Sequence, residues 1–404
     1  MANMTLHNGR EFLSIPGPTT IPDDVLGAMH RPAIEIYSGE LVAITDSVLQ
    51  DLKTIFKTTG DTYIYISNGH GGWEAALTNV LSRDDKILVC ESGRFAMGWG
   101  EGGAFIGLDV EVLPGDWRRA IDPNELEARL RADKNGDIKA ILCVQIDTAS
   151  GVVNDIPAIR QAMDAAGHEA LLMVDTIASL ACMPFDMDGW GVDVAVAGSQ
   201  KGLMTPPGLA FVAANKKAKA RHESAGLRSN YWDWTKREGE EHYRKYCGTP
   251  PVQMLFGIRK ALDMLFEEGL EHVFERHRLL AGATWAAVSE WAQGGTIDFN
   301  ISKPAERSLT VTTVRTNEEI DPAVLLKFCK EHLGTVIGIG IGDLGGSAFR
   351  IAHMGHVNAP MMMGTLGAIE IGLHATGIAQ STDGVSGGVQ AAAAFLGDEL
   401  SQLK

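Results

Sequence analysis

Two residues that could do chemistry together, an aspartate and a lysine, follow consecutive apolar segments in the middle of the chain. Asp175 comes directly after the run ALLMV, and Lys201 lies in the glycine-flanked turn GSQKG after VDVAVA. Short, nearly continuous apolar runs are typical of strands buried on both faces of a parallel sheet. Because ligands of open α/β sheets bind at the carboxyl ends of the strands, we expect both side chains at one edge.

A carboxylate and an amine placed in this way suit pyridoxal phosphate. The Lys201 amine can form a Schiff base with the aldehyde of that cofactor, and Asp175 can keep the pyridine nitrogen protonated, so that the ring withdraws electrons. A structural ion pair is the alternative explanation of the same two residues.

Three further segments could bind parts of a cofactor or substrate. The turn SNGHGGWE at 67–74 enters a helix, whose backbone N–H groups can bind phosphate; the alternative is an ordinary glycine turn. The turn DTASG at 147–151 follows another apolar run, and its hydroxyls could bind a ring oxygen or simply form a polar turn. Arg350 is the one arginine of the apolar segment FRIAHMG, which suggests either carboxylate binding or an ion pair.

The elements that must position these residues change in pattern along the chain. Apolar runs at 86–90, 138–144, 170–174 and 192–197 alternate with helical patterns such as 155–166, which predicts right-handed crossovers and a doubly wound, mainly parallel sheet. After about residue 270 the pattern predicts a second, smaller α/β domain. A helix at 254–268 precedes it, and its elements are a helix at 272–292, a strand at 308–315, a helix between Asp321-Pro322 and Gly334, and a terminal helix at 390–396.

Composition and charge exclude several function classes. The 404 residues carry 35 Lys and Arg against 51 Asp and Glu, a net charge of −16, which disfavours nucleic-acid binding and anionic membranes. No apolar window is long enough for a transmembrane helix, and the first residues lack a signal-peptide pattern. Five scattered cysteines without metal-ligand spacing predict reduced thiols in a cytoplasmic protein.

Two motifs are weak signals for other chemistry. The segment GIGDLG at 340–345 matches G-x-G-x-x-G, but a strand-like segment follows it where a dinucleotide fingerprint needs a helix. His353 and His356 have no third ligand nearby, so no metal site is expected.

The ordered set of segments resembles the class V, fold-type I aminotransferases, specifically the alanine/serine–glyoxylate aminotransferase group. The resemblance covers most of the chain, and the order and spacing of the segments make it specific. The segments are IPGPT (15–19), Gly69-His70, DTASG (147–151), VDTIAS (174–179), GSQKG (198–202), PPG (206–208), the stretch 246–250 and RIAHMG (350–355).

The resemblance implies a role for each matching residue. Lys201 binds the cofactor and then moves the proton between the amino-acid Cα and the cofactor C4′, while Asp175 pairs with the pyridinium nitrogen. Arg350 binds the substrate carboxylate, aided by the backbone near Gly17. The other implied cofactor-binding residues are Thr148 at the ring hydroxyl, Ile177, Gly69, His70, Gly71 and Gln200 at the phosphate, and Tyr246 and Thr249 at the phosphate of the other subunit.

The sequence departs from the family pattern at two places. The aromatic residue that stacks on the ring matches Phe95, where the family often has tryptophan or tyrosine, so stacking is kept without a hydrogen-bonding group. The loop at 147–150 has Asp147-Thr148-Ala149-Ser150 where glutamate and serines are commoner, and Thr148 retains a hydroxyl.

The resemblance further implies a large pyridoxal phosphate domain at 21–272, a small C-terminal α/β domain at 273–404, and an arm at 1–20 that reaches the active site of a cytoplasmic homodimer with shared sites. The implied reaction moves an amino group from a small L-amino acid, serine or alanine, to glyoxylate or pyruvate by a ping-pong mechanism. Aspartate, ureidoglycine and pyridoxamine donors stay open, with Arg31 and Arg94 as possible second cations for aspartate.

Other hypotheses about the function are compatible with parts of the sequence. A lyase or desulfurase on the same scaffold would need a mobile cysteine late in the chain, and Cys329 lies on an apolar helix face. From other classes, an NAD-dependent dehydrogenase using the late glycine motif and a cofactor-free binding protein both predict a protein without a visible chromophore.

Overall fold

The computed structural model describes residues 5–378 and 387–402 as three sheets with helices packed around them. The largest sheet has seven strands in the order β2-β10-β9-β8-β5-β3-β4, a second has five in the order β1-β13-β14-β12-β11, and β6 and β7 form a short pair. The strands are β1 (Phe12–Ser14), β2 (Asp61–Ser67), β3 (Lys86–Cys90), β4 (Asp109–Leu113), β5 (Ile138–Val144), β6 (Ile146–Asp147), β7 (Val152–Val153), β8 (Leu171–Asp175), β9 (Val194–Gly198), β10 (Gly208–Ala214), β11 (Ile297–Phe299), β12 (Val311–Thr316), β13 (Thr335–Ile339) and β14 (Ala348–Ala352).

Helices connect most of these strands. They are α1 (Asp23–Met29), α2 (Glu40–Phe56), α3 (Gly69–Val80), α4 (Arg94–Phe105), α5 (Pro123–Ala132), α6 (Ile156–Ala166), α7 (Lys216–Ser224), α8 (Trp234–Arg237), α9 (Val252–Glu268), α10 (Leu270–Ala292), α11 (Pro322–Leu333), α12 (Ala359–Ala375) and α13 (Gly388–Ser401).

The seven-stranded sheet is mainly parallel, as the apolar runs predicted. Strands β4, β3, β5, β8 and β9 pair in parallel, whereas β10 pairs antiparallel with both β9 and β2. The carboxyl ends of β2, β3, β5, β8 and β9 therefore meet at one edge. Every residue of β8 and β9 is buried, because helices cover both faces of the sheet.

Local capping explains where several helices begin and end. The Asp155 side chain accepts a hydrogen bond from the Ala158 N–H at the start of α6, and Gly167 ends this helix with φ 64°. Helix α11 has the same arrangement, with Asp321 as its N-cap and Gly334 at its end. These boundaries agree with those predicted from the sequence.

Several predicted boundaries differ from the structure. The strand expected at 192–197 begins at Val194, and the terminal helix expected at 390–396 runs from Gly388 to Ser401. The strand expected at 308–315 begins only at Val311, as β12. The Ser308 hydroxyl accepts hydrogen bonds from the N–H groups of Thr310 and Val311, which makes a turn of the residues before the strand.

The five-stranded sheet contains the first strand of the chain. β1 pairs in parallel with β13, and the remaining neighbours are antiparallel. After β1 the chain runs to Thr19, whose N–H and hydroxyl donate to the carbonyls of Gln200 and Lys201, respectively. The residues between β1 and Thr19 are thereby held against the turn that follows β9.

Within the described ranges 5–378 and 387–402, no helix is long and apolar enough to cross a membrane.

Candidate active site

A cavity of about 240 Å³ lies at the carboxyl edge of the seven-stranded sheet. Ten of the thirteen residues singled out from the sequence line it, namely Gly17, Gly69, His70, Phe95, Thr148, Asp175, Ile177, Gln200, Lys201 and Arg350. Surface hollows of about 450 and 390 Å³ are larger, but none of the thirteen residues lines them. The cavity is therefore the candidate active site.

Lys201 lies in the turn after β9, with only 8 % of its surface exposed. Its Nζ donates a hydrogen bond to the Pro16 carbonyl. Burial, with the nearby charge of Arg350, lowers the pKa of the Lys201 amine to about 8. Gly17 packs against this side chain so closely that a Cβ at position 17 would overlap the amine, and its φ of 98° also favours glycine.

Asp175 is the last residue of β8 and is buried. One carboxylate oxygen accepts the Ile177 N–H at 2.6 Å, and the other accepts the indole N–H of Trp73 at 2.8 Å. Burial raises the pKa of this carboxyl group to about 7, although both donors act to lower it. Lys201 and Asp175 thus each have their own hydrogen-bond partners, unlike the simple structural ion pair that the sequence left open.

Arg350 lies on β14, in the other large sheet, and is buried. Its Nε donates to the Ile339 carbonyl at 2.6 Å and its Nη1 to the Thr148 carbonyl at 3.0 Å. Burial lowers the pKa of the guanidinium to about 10, so it keeps its charge at neutral pH. A buried cation bonded to backbone carbonyls at the cavity wall suits an anionic ligand.

Asp147 is a residue whose importance sequence reasoning missed. Its carboxylate is fully buried and accepts hydrogen bonds from the N–H groups of Phe95, Ala96 and Ala149. It therefore caps the first turn of α4 from another element and fixes Phe95 relative to Thr148. Gly93 leaves room for it, since a Cβ there would overlap the carboxylate.

Trp73 is the second residue missed. It lines the cavity, is 4 % exposed and donates to Asp175. The signal for it was present, because a tryptophan in the first turns of a helix at the sheet edge needs a partner for its N–H once buried.

The turn before α3 forms another wall of the cavity. The Asn68 side chain accepts hydrogen bonds from the N–H groups of His70 and Gly71 at 3.1 and 3.4 Å. Gly69 and His70 line the cavity, whereas Gly71 does not. Across the cavity, the Gln200 amide oxygen is buried with no hydrogen-bond partner among the described residues.

Tyr246 and Thr249 lie away from the cavity. Tyr246 is 1 % exposed, and its hydroxyl shares a hydrogen bond of 2.7 Å with Thr45, in the core of its own chain. Its expected contact with the phosphate of another subunit stays a prediction. Thr249 is exposed, so its contact with a partner subunit stays a prediction.

The residues on which the alternative functions depend do not lie in the arrangement that those functions require. Arg31 and Arg94 form ion pairs with Glu40 and Glu101, and neither arginine lines the cavity. Cys329 is buried on α11, and burial raises the pKa of its thiol to about 12, unlike a mobile catalytic thiolate. The glycine motif at 340–345 leads into a short 3-10 turn and then β14, which is not a dinucleotide-binding arrangement.

Comparison with known proteins assigns the family. The sequence profile of the family described as "Aminotransferase class-V" matches residues 22–344. The chain belongs to the class-V aminotransferases. The family and fold imply pyridoxal phosphate as the cofactor, so this protein is a pyridoxal phosphate-dependent transaminase. The predictions of family, enzyme class and fold class are confirmed.

Individual class-V relatives span nearly the whole chain. A serine–glyoxylate aminotransferase of Methylorubrum extorquens is 38% identical over 97% of both chains. An L-aspartate–glyoxylate aminotransferase of Paracoccus denitrificans is 36% identical over 88% of this chain and 89% of its own. The solved pyridoxamine-pyruvate aminotransferase of Mesorhizobium loti superposes with a TM-score of 0.86 at 25% identity, over 97% and 98% of the two chains.

The burial of Lys201 gives a prediction for the cofactor-free aminotransferase. Its pKa is about 8 in the folded chain against 10.5 for a free lysine. Below pH 8 both states are protonated, and the folded state bears the full cost of a buried ammonium group. Between pH 8 and 10.5 the unfolded chain binds more protons, so stability rises with pH. Lys201→Met should therefore raise the free energy of unfolding near pH 7 by on the order of 1–3 kcal/mol, a gain that disappears by about pH 10.5.

Thermal or urea unfolding across this pH range measures the effect. Lys216→Met, at the exposed start of α7, is the control and should change stability by less than about 0.5 kcal/mol at every pH. A loss of stability on Lys201→Met at pH 7 would contradict the argument.

Proposed function

We propose that this aminotransferase transfers the amino group of L-serine or L-alanine to glyoxylate or pyruvate in two half-reactions. The observation that carries the proposal is the cavity in which a buried amine, a buried carboxylate and a buried guanidinium come together, Lys201, Asp175 and Arg350. Its relative in Methylorubrum, named for serine and glyoxylate, supports the choice of substrates.

The residues of the cavity fit pyridoxal phosphate. We propose that Lys201 binds its aldehyde, that Asp175 faces its pyridine nitrogen, and that Phe95 and Ile177 cover its ring. The N-terminus of α3, with Gly69 and His70, suits its phosphate, and Gln200, which lines the same cavity, is proposed to donate its side-chain N–H group to it. Thr148 is proposed to contact the ring hydroxyl.

The protein's own groups are suited to moving a proton at the amino-acid Cα. When bound, the cofactor withdraws the electrons that the broken C–H bond leaves behind. We propose that the freed Lys201 amine takes this proton from the amino-acid Cα and would return it to the C4′ atom of the cofactor. Its pKa of about 8 allows both the neutral and the charged form near neutral pH, as an acid–base group requires.

Arg350 is proposed to bind the α-carboxylate that donor and acceptor share. It is the buried guanidinium of the cavity wall, while Arg31 and Arg94 are paired with glutamates outside the cavity. A site with one such cation favours monocarboxylic amino acids. Aspartate is the second candidate donor, because a relative of this chain in Paracoccus is named for L-aspartate and glyoxylate.

Absorbance spectra test the function directly. The purified protein supplied with pyridoxal phosphate should be yellow, and L-serine or L-alanine should bleach it faster than L-aspartate, with glyoxylate restoring the colour. Lys201→Ala should remove both the colour of the lysine-bound cofactor and turnover, because no other amine lines the cavity in the part of the chain described. Fastest bleaching by aspartate would replace serine and alanine with the second candidate. A protein that stays colourless would overturn the proposal.

Arg350 gives a second test. Arg350→Lys keeps a positive charge but loses the fork of donors, so the KM values for donor and acceptor should both rise by about tenfold or more. Arg94→Lys is the matched control, since its guanidinium pairs with Glu101 at the surface, and its KM for serine should change less than about twofold. Steady-state kinetics decide between these outcomes, and an unchanged KM in the Arg350 variant would exclude the assigned role.

We propose that residues 1–20 form an arm of the catalytic unit, beside a large domain at 21–272 and a small one at 273–404. Strand β1 pairs with β13, and the next residues, Pro16 and Gly17, line the cavity. We also propose a cytoplasmic location, which is supported by five free cysteines, as is usual where thiols are kept reduced.

We further propose a homodimer with shared active sites. Ile66, Tyr231 and Tyr243 are 39 %, 38 % and 41 % exposed, and they lie on segments that Arg237 joins through hydrogen bonds to nearby carbonyls. We call these three side chains the apolar patch. Exposed apolar side chains grouped on joined segments are typical of interfaces, and Thr249 is close to the patch in sequence.

A charge in the apolar patch tests the dimer. Tyr243→Glu should shift the protein from dimer to monomer in sedimentation velocity and weaken its affinity for pyridoxal phosphate, because Thr249 would no longer meet the partner's site. Phe105→Glu, at the 94 % exposed end of α4, should leave both properties unchanged. A wild-type protein that sediments as a monomer would contradict the proposal.

A further inference from the structure

The carboxylate of Asp175 is held by two donors of different kinds. The Ile177 N–H belongs to the backbone two residues further on, so it is available whatever side chains surround it. The Trp73 indole N–H comes from α3, across the cavity edge, at 2.8 Å from Oδ2. Only the second contact depends on a side chain, and only it ties the carboxylate to the helix that carries Gly69 and His70.

Trp73 is itself fixed by aromatic contacts. Its ring stacks on Trp99 with centroids 6.0 Å apart, and it meets His70 at 4.6 Å and Phe95 at 6.4 Å. With 4 % of its surface exposed, the indole has no freedom to turn away from Asp175. The hydrogen bond is therefore built into the packing of α3 against α4.

The bond has two physical consequences. It fixes which way the Oδ2 atom points, and it favours the charged form of a carboxylate that burial disfavours. The charged groups that face Asp175 act in both directions, since Asp147 raises the pKa of its carboxyl group and Lys201 lowers it. His70 and Arg350 are the other titratable groups of the cavity wall. A group that pairs with a protonated pyridine nitrogen must be both oriented and ionised.

We propose that Trp73 is a positioning residue that holds Asp175 ionised and aimed at the pyridine nitrogen of the cofactor. This inference rests on the proposed function, because it requires pyridoxal phosphate in the cavity. Trp73 acts through Asp175, so its loss should change how the cofactor binds as pH varies, and not only how fast the enzyme turns over.

The test is the affinity of the cofactor-free protein for pyridoxal phosphate across a pH series, measured by titration calorimetry. Trp73→Phe keeps an aromatic ring and removes the N–H. We expect affinity at pH 7 to fall roughly tenfold, as for the loss of a hydrogen bond to a charged group. The acid-side decline in affinity should move upward by about one pH unit, because the Asp175 carboxyl group then holds its proton to higher pH.

Trp99→Phe is the matched control. Trp99 is fully buried in the same aromatic stack, and its indole nitrogen has no hydrogen-bond partner among the described residues. Its replacement removes a similar volume and no hydrogen bond to Asp175. Cofactor affinity in this variant should stay within about twofold of the wild type, with the same pH profile.

A double-mutant cycle separates positioning from packing. In an Asp175→Asn background the ionisable group is gone, so adding Trp73→Phe should cost less than about twofold in affinity. An equal loss in both backgrounds, or a Trp73→Phe profile that matches the wild type, would overturn the proposal. If Trp73→Phe fails to fold, a benzothiophene analogue of tryptophan at position 73 keeps the ring shape without the N–H and serves the same comparison.

The wild-type titration distinguishes this inference from the proposed function. A wild-type protein that binds no pyridoxal phosphate would defeat the proposed function. A wild type that binds it, with a Trp73→Phe variant that binds it equally well at every pH, would defeat only the role of Trp73.

Discussion

The burial of three ionisable side chains in one small cavity is the constraint on which the rest of the structure depends. Water would stabilise the charges of Lys201, Asp175 and Arg350, and the folded chain replaces it with a few fixed dipoles and N–H groups. The pKa values of about 8 for Lys201, 7 for Asp175 and 10 for Arg350 show that these contacts only partly replace the lost hydration. Such groups are stabilised when a ligand of complementary charge enters. The desolvation free energy that remains uncompensated in the empty cavity therefore favours ligand binding and keeps the groups reactive.

The two large sheets divide the task of holding these charges. The seven-stranded sheet supplies Asp175 and Lys201 from adjacent parallel strands, whose backbones are fixed by pairing on both sides. The five-stranded sheet supplies Arg350, and the bond from its guanidinium to the Thr148 carbonyl joins the sheets at the cavity. Asp147 then fixes α4 to the same turn. The distance between the Arg350 guanidinium and the Lys201 amine is thus set by the contact between these segments, and under the proposed function a small shift there would change where a substrate Cα lies.

The sequence pattern predicted the parts of the site that local rules determine. Asp175 and Lys201 were found because they end or directly follow buried strands, and Arg350 because it interrupts an apolar one. Trp73 and Asp147 were not assigned roles, because their partners lie 102 and 52 residues away and no local pattern encodes such a pairing. The motif of Tyr246 gives its order in the chain, but not the Thr45 hydroxyl of α2 to which its own hydroxyl is hydrogen-bonded.

The proposed role of Arg350 as the single carboxylate-binding group has consequences for both halves of the reaction. Under that proposal, donor and acceptor would bind in turn at the same place, so Arg350 would accept every substrate and would not distinguish one from another. Discrimination would then be left to the groups around the side chain of the amino acid, and among the described residues the cavity wall offers the apolar Ile341 and no second guanidinium. An apolar wall separates small side chains by only about 1–3 kcal/mol per methylene, whereas a carboxylate side chain placed there without a partner is strongly disfavoured. Under the proposed function, serine and alanine would be accepted alike, and aspartate would be the poorer donor unless Arg94 left Glu101.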